Sequence, residues 1–342
     1  MDRVRVVVVG AGRMGARRAG SVASSKSATL VGVVDPVTER ANDLAKKQGC
    51  ASAGSLEDLT GAGDIDAVII STPNDEHGKV AIPSLNKGRS VFCEKPLSNT
   101  LEEADGIHAA WKASGQLFRM GSNAREFGNV RKALQLAREG AIGSPAYGRG
   151  WIGFEKAIAR NDASYYDTKK IGGGVLVDVG HHIVDLGRAF LGDFDDAFGY
   201  SPTPISTDGR VPLDTCFIGT LRRRDGRWFS LQASWQDYSG YLFLEIAGDK
   251  GSLVVDSRHN VATLDLNSPG GGRTSWDFYA EGPVSFQREM DTFLEAVRTG
   301  KDERGPSCED GLRTLAAIRS MYASWSSGSW ASLPPRFRSL PS

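Results

Sequence analysis

The chain lacks an excess of charge of either sign: 41 lysines and arginines stand against 41 aspartates and glutamates in 342 residues. With no net field to draw in polyanions, nucleic acid is not an expected partner. Long hydrophobic runs are missing too. The apolar stretch Val6 to Val9 is too short for a membrane span and too close to the N-terminus for a signal peptide, so neither insertion nor export is indicated. Cysteine is scarce. Cys50, Cys93, Cys216 and Cys308 lie far apart and form no Cys-x-x-Cys pair, which argues against a disulfide framework and for thiols kept reduced in the cytoplasm. There is no internal repeat, and the one compact basic cluster, Arg222-Arg223-Arg224, runs straight into Asp225-Gly226, as the solvated shoulder of a hairpin does.

What is present suits a globular protein, with 40% hydrophobic and 24% charged residues. At this length two domains are expected rather than one core. Val4 to Val9 is a β-branched run followed by a glycine turn and a helix-forming stretch. The alternation recurs, with strands expected at Leu30–Val34, Ala67–Ser71, Ser90–Cys93 and Leu117–Met120, and helices at Thr38–Lys47, His77–Asn86 and Leu101–Ala113. Asn99, with Glu102 three residues on, is the expected cap of the last helix, and Gly115 ends it. Such a series predicts an α/β Rossmann domain, a doubly wound parallel sheet covered on both faces, over residues 1–121.

Residues 122–342 read as an α+β domain with a large, mainly antiparallel open sheet. A helix is expected from Val175 to Leu191, stopped by Gly192. Phe229, Leu231, Ala233 and Trp235 alternate with polar neighbours, the period of a strand with one buried face. Helices are expected at Phe286–Val297 and Gly311–Trp325, and the proline-rich tail from Leu333 is expected to lie on the surface.

Three constellations carry chemistry. Gly10-Ala11-Gly12-Arg13-Met14-Gly15 follows a strand and opens a helix, the context in which Gly-x-Gly-x-x-Gly binds a dinucleotide pyrophosphate at a helix N-terminus. Asp35 ends the second strand, twenty residues after Gly15, where a carboxylate accepts from an adenine-ribose diol. That favours NAD, while Arg13 and Arg40 are nearby cations that soften the choice and keep NADP possible. A loop glycine cluster with an incidental aspartate is the bland alternative. Ser71-Thr72-Pro73-Asn74 and His77 fall at the carboxyl edge of the sheet, where either cofactor contact or a simple turn accounts for them.

Glu94-Lys95-Pro96 lies at the same edge. Lys95 there can hydrogen-bond a substrate hydroxyl and hold positive charge beside a developing alkoxide, although taken alone it also suits a solvated surface. The third constellation runs from Gly172-Gly173-Gly174 to Asp185. On a continuous helix Asp178, His182 and Asp185 share one face while His181 points elsewhere, so a carboxylate stands beside an imidazole fit to accept an alcohol proton. A salt-bridged helix face remains open as the structural alternative. No metal is expected, because these side chains cannot all converge on one ion. The stretch Trp151 to Lys170, with Glu155, Lys156, Arg160, Asn161, Tyr165 and Tyr166, borders the expected substrate pocket, and Trp235 is a candidate wall; structural roles stay open for each.

Together these motifs resemble the Gfo/Idh/MocA family of glucose-fructose oxidoreductase and inositol dehydrogenase. The resemblance covers nearly the whole chain, including Asn123-Ala124-Arg125-Glu126-Phe127 and Ser307-Cys308-Glu309-Asp310-Gly311. It implies NAD(P)-dependent hydride transfer at a secondary alcohol or ketone of a sugar or cyclitol, in a homodimer or homotetramer built on the open sheet. It also implies roles: Lys95 as catalytic lysine, Asp178 positioning substrate and histidine, and His182 as proton donor or acceptor. Glu94 would lie near the nicotinamide ribose and Arg125 among the cofactor contacts. Lys156, Tyr165 and Trp235 join the catalytic three around the substrate, and the Lys95–Pro96 bond is expected to be cis. Two other functions are weighed, an NADPH-dependent ketosugar reductase and a cofactor-binding regulator without turnover. Asp35 speaks against the first, and the joint presence of Lys95, Asp178 and His182 against the second.

Overall fold

Short runs of buried apolar residues, each ended by glycine or a polar turn, build the first sheet of the computed structural model. It describes residues 3–60, 63–153, 168–202, 204–205, 213–237, 240–258, 262–278, 282–301 and 305–339. The strands are β1 (Val4–Val9), β2 (Ala28–Val34), β3 (Ala51–Ala53), β4 (Ala67–Ile70), β5 (Ser90–Glu94) and β6 (Phe118–Gly121), and between them run α1 (Arg13–Ser24), α2 (Thr38–Gln48), α3 (His77–Asn86) and α4 (Leu101–Ser114). All strand pairs are parallel and the order is β3-β2-β1-β4-β5-β6, the doubly wound arrangement whose order reverses beside β1. Helix α4 is capped one residue later than expected: Thr100, not Asn99, accepts from the Glu103 N–H.

The chain divides into two units, Met1–Asn123 with Pro283–Leu312 and Ala124–Gly282 with Arg313–Ser342. Residues 283–312 belong with the Rossmann strands because Met290, Phe293 and Leu294 complete the apolar cluster formed by Val6, Val8, Ile69 and Phe92.

The second unit contains α5 (Gly128–Arg138), β7 (Pro145–Gly153), α6 (Thr168–Ile171), α7 (Val175–Asp178), α8 (Gly180–Leu191), β8 (Asp196–Tyr200), and the short pair β9 (Pro204–Ile205) and β10 (Leu213–Asp214). The strands β11 (Cys216–Arg222), β12 (Trp228–Ser234), β13 (Gly240–Gly248), β14 (Gly251–Arg258), β15 (Ala262–Ser268) and β16 (Gly272–Phe278) follow. Then come α9 (Gly282–Thr299), α10 (Cys308–Ser327) and β17 (Ala331–Ser332). Nine strands form one sheet in the order β16-β15-β14-β13-β7-β12-β11-β8-β17, antiparallel except for β7 beside β12. One face carries the core of Ile152, Ile183, Phe229, Leu231 and Ala233. Helix α8 lies close on it because Gly150 faces Ile183 and Gly187 faces Phe229, where an added Cβ would come within 2.7 Å of either side chain.

The β11–β12 hairpin turns through Gly226 at φ +95°, as the Asp225-Gly226 pair leads one to expect, but within the basic cluster Arg223 is mostly buried, paired to Asp225 and donating to the Leu191 carbonyl. The tail is not simply laid on the surface: Leu333 and Phe337 are buried, and β17 pairs with β8. Among the described residues no helix is long and apolar enough to cross a membrane.

Candidate active site

In the first unit the glycine turn is dictated by contact. An added Cβ would come 2.6 Å from the Ser71 carbonyl oxygen at Gly10, whose φ is +97°, and 1.6 Å from the Gly10 carbonyl oxygen at Gly15. At Gly12 a Cβ would meet nothing within 4 Å, so open space lies above the N-terminus of α1. No side chain caps that terminus and no acid occupies its first turn, which leaves its N–H groups and dipole to an anion. Asp35 accepts from the Ala11 N–H at 2.7 Å and the Val37 N–H at 2.8 Å, so it braces the turn as well as presenting a carboxylate beside it. The Ser71 and Thr72 hydroxyls are buried without a hydrogen-bond partner among the described residues. A cradle that only glycine fits, an uncapped helix end and two waiting hydroxyls all suit a dinucleotide. Arg13 and Met14 open α1, and Arg40 is exposed in the first turn of α2.

At the end of β5, Glu94 is buried and paired with Arg18 of α1 at 2.6 Å, while Arg18 also reaches Glu289 of α9 at 2.8 Å. Burial and the neighbouring Glu94 push the Glu289 carboxyl up to about 7 against the opposing pull of Arg18. Two carboxylates thus share one guanidinium inside the unit. The Lys95–Pro96 bond is cis, as expected from the resemblance. His77 is buried with both ring nitrogens against main-chain carbonyls, those of Pro96, Leu97 and Thr72. Pro73 and Asn74 form the turn that leads to it.

The second unit holds the other constellation. The expected single helix is broken at Val179 into α7 and α8, and the His182 N–H bonds the Val179 carbonyl, a three-residue step that tightens the chain there. Asp178 accepts from the indole N–H of Trp235 at 3.0 Å, so buried Trp235 orients a carboxylate. Asp185 is engaged by Arg125 through two bonds of 2.6 and 2.7 Å, which ties α8 down. His182 is buried in the first turn of α8, and its ring stands edge-on to that of His181. Lys156 and Tyr165, like Glu155, Arg160, Asn161 and Tyr166, lie outside the described residues.

A sequence profile of the oxidoreductase family Gfo/Idh/MocA, with an NAD-binding Rossmann fold, matches residues 4–122, and that of the Gfo/Idh/MocA C-terminal domain matches residues 130–254. The chain belongs to the Gfo/Idh/MocA family. It is therefore an oxidoreductase whose Rossmann unit binds NAD. It is 30% identical over 318 residues to scyllo-inositol 2-dehydrogenase (NAD(+)) of Bacillus subtilis, covering 87% of each chain. It is 27% identical over 340 residues to inositol 2-dehydrogenase of Rhizobium meliloti, covering 93% of this chain and 97% of that one. Levoglucosan dehydrogenase in complex with NADH and levoglucosan shares the fold, with a TM-score of 0.86 at 23% identity over 97% of this chain and 100% of the other.

In this Gfo/Idh/MocA chain one site device escaped the sequence. Asp214, fully buried, accepts from the N–H groups of Gly174 at 2.9 Å and Leu176 at 2.8 Å and from the Tyr322 hydroxyl at 2.7 Å, while Arg319 donates to the Gly172 carbonyl at 2.6 Å. These side chains moor the glycine loop from which α7 starts. Both Asp214 oxygens are used as acceptors, so Asp214→Asn, which replaces one of them by a donor, should cost about 1–3 kcal/mol of stability. Urea unfolding measures it, and an unchanged midpoint would show that the mooring is dispensable.

Proposed function

We propose that this Gfo/Idh/MocA oxidoreductase is an NAD-dependent dehydrogenase of a polyhydroxylated ring, an inositol or a sugar, that oxidises one secondary alcohol to a ketone. The observation that carries the reading is Asp178, fixed by Trp235, four residues before buried His182. The named activities of the two curated relatives supply the substrate class. Bound NAD supplies the hydride acceptor. His182 takes the hydroxyl proton as the carbon–oxygen double bond forms and the hydrogen on that carbon leaves with its electron pair. Asp178 holds the imidazole in the tautomer that can accept, and Lys95 hydrogen-bonds the oxygen and stabilises its developing negative charge. Lys156 and Tyr165 are proposed substrate contacts, and Trp235 serves through Asp178.

We infer further that the enzyme works in the cytoplasm as a homodimer or homotetramer. Four cysteines without a disulfide suit a reducing compartment. The sheet face opposite the core of the second unit bears stacked pairs, Tyr147 on Trp228 and Trp151 on Phe243, beside exposed Ile218 and Tyr200, which supports assembly through that face.

Purified protein assayed with NAD and NADP against inositols, aldoses and ketosugars tests the function; no oxidation of any polyol would refute it. The Asp35 carboxylate repels a 2′-phosphate and loses hydroxyl partners with NADP, so NADH should bind at least about tenfold more tightly than NADPH. Fluorescence titration decides, and tighter NADPH binding reverses the assignment.

A further inference from the structure

The β4–β5 ladder ends where Ile70 pairs with Cys93. Past that point the two chains become the Ser71–Asn74 segment on one side and the Glu94-Lys95-Pro96 turn on the other. On its upstream side the turn is held through Glu94 by Arg18, whose second partner is Glu289. On its downstream side the holder is His77, the first residue of α3. The His77 Nδ1 lies 3.0 Å from the Pro96 carbonyl oxygen and 3.3 Å from that of Leu97, and Nε2 lies 3.2 Å from the Thr72 carbonyl oxygen.

We propose that His77 is a positioning residue for Lys95: its buried ring couples the Thr72 segment to the Lys95–Pro96 turn beyond the end of the ladder. The proposal rests on the assignment of Lys95 to the reacting oxygen. A histidine suits the task because its rigid ring places two nitrogens at opposite edges, each within reach of a different strand end. Burial lowers its proton affinity, so at neutral pH the ring carries one N–H. Nδ1, with two carbonyls before it, is the better placed to donate, so the Lys95–Pro96 turn is held by a hydrogen bond and the Thr72 segment by contact with the buried ring. The ring is fully buried and faces protein carbonyls on both edges, so it acts through Lys95 rather than on substrate.

The test uses the full chain with NAD and the faster of myo-inositol and scyllo-inositol, and NADH fluorescence to count folded sites. His77→Leu, which removes the Nδ1 hydrogen bond and the ring itself, should lower kcat by about 10²-fold per NADH-binding site, the scale of loss from misplacing a catalytic group by about 1 Å. His77→Asn keeps an amide donor where Nδ1 stands and should restore about tenfold of that. In a Lys95→Ala background His77→Leu should add nothing to the residual loss, since a residue acting through Lys95 has no effect without it. In the wild-type protein the His77 ring proton should exchange slowly with solvent, a signal independent of turnover. An equal loss in the Lys95→Ala background, or normal kcat for His77→Leu, overturns the proposal; if His77→Leu binds no NADH, the same cycle is run with His77→Asn. Full turnover by Lys95→Ala alone would instead remove the Lys95 assignment, and the proposal with it.

Discussion

His182→Ala is expected to lower turnover by about 10²- to 10⁴-fold, the usual worth of general acid–base catalysis, while NADH affinity hardly changes. The expectation comes from where the residue sits. His182 belongs to the unit that does not contain the glycine turn, so its loss leaves the Gly10–Gly15 cradle and Asp35 intact. It lies in the tightened first turn of α8, beside the Val179 break, close in sequence to an aspartate already fixed by Trp235. Alanine removes the proton acceptor and leaves that support standing. The loss should therefore fall on kcat, with KM for NAD within a few-fold of wild type. Stopped-flow formation of NADH under saturating substrate measures it. Turnover within about threefold of wild type would mean the proton leaves by another route.

Lys95→Ala should be damaging on a similar scale, about 10²- to 10³-fold, because the developing alkoxide loses a preorganised positive partner. Lys95→Arg should not restore the activity, since a broad planar guanidinium spreads its charge over three nitrogens and cannot place it where the compact ammonium does. The turn that carries Lys95 is held at Glu94 by Arg18 and at Pro96 and Leu97 by His77, so the alanine variant should remain folded and bind NADH. Comparing the two variants separates their roles. If His182→Ala keeps near-normal turnover while Lys95→Ala abolishes it, lysine is the proton carrier and the two assignments must be exchanged.

The Rossmann strands were legible because their signal is local. Val4–Val9 is a β-branched run buried on both faces, and a parallel strand needs little else to declare itself. The glycine turn was legible because its residue spacing is contained in six residues, although the clash that demands glycine at Gly10 comes from the Ser71 carbonyl across the sheet. Asp35 was found by its spacing from that turn. The segment from Val175 to Leu191 forms two helices rather than one. Its apolar residues recur on both sides of Val179, so their spacing alone does not mark the tightening there. Asp185 sits at helical spacing from His182, yet Arg125, 60 residues away in sequence, claims both its oxygens. The tail departs from the surface path its prolines suggest, because prolines announce an irregular chain but do not say whether Leu333 and Phe337 are buried.

By itself, then, the sequence determined the order of the Rossmann elements, the spacing of the dinucleotide cradle, and Lys95 just past a strand end with Asp178 and His182 in one helical region. All of these depend on residues close along the chain, where backbone sterics and side-chain period act directly. Only the tertiary structure decided that Arg18 is shared by Glu94 and Glu289, that Trp235 serves Asp178, that Asp214 and Tyr322 hold the glycine loop, and that residues 283–312 return to the first unit. Each of these joins groups tens of residues or more apart, for which the chain carries no periodic signal. Such partners are selected by burial, because a polar group taken out of water must be met by whichever donor or acceptor the fold brings within reach.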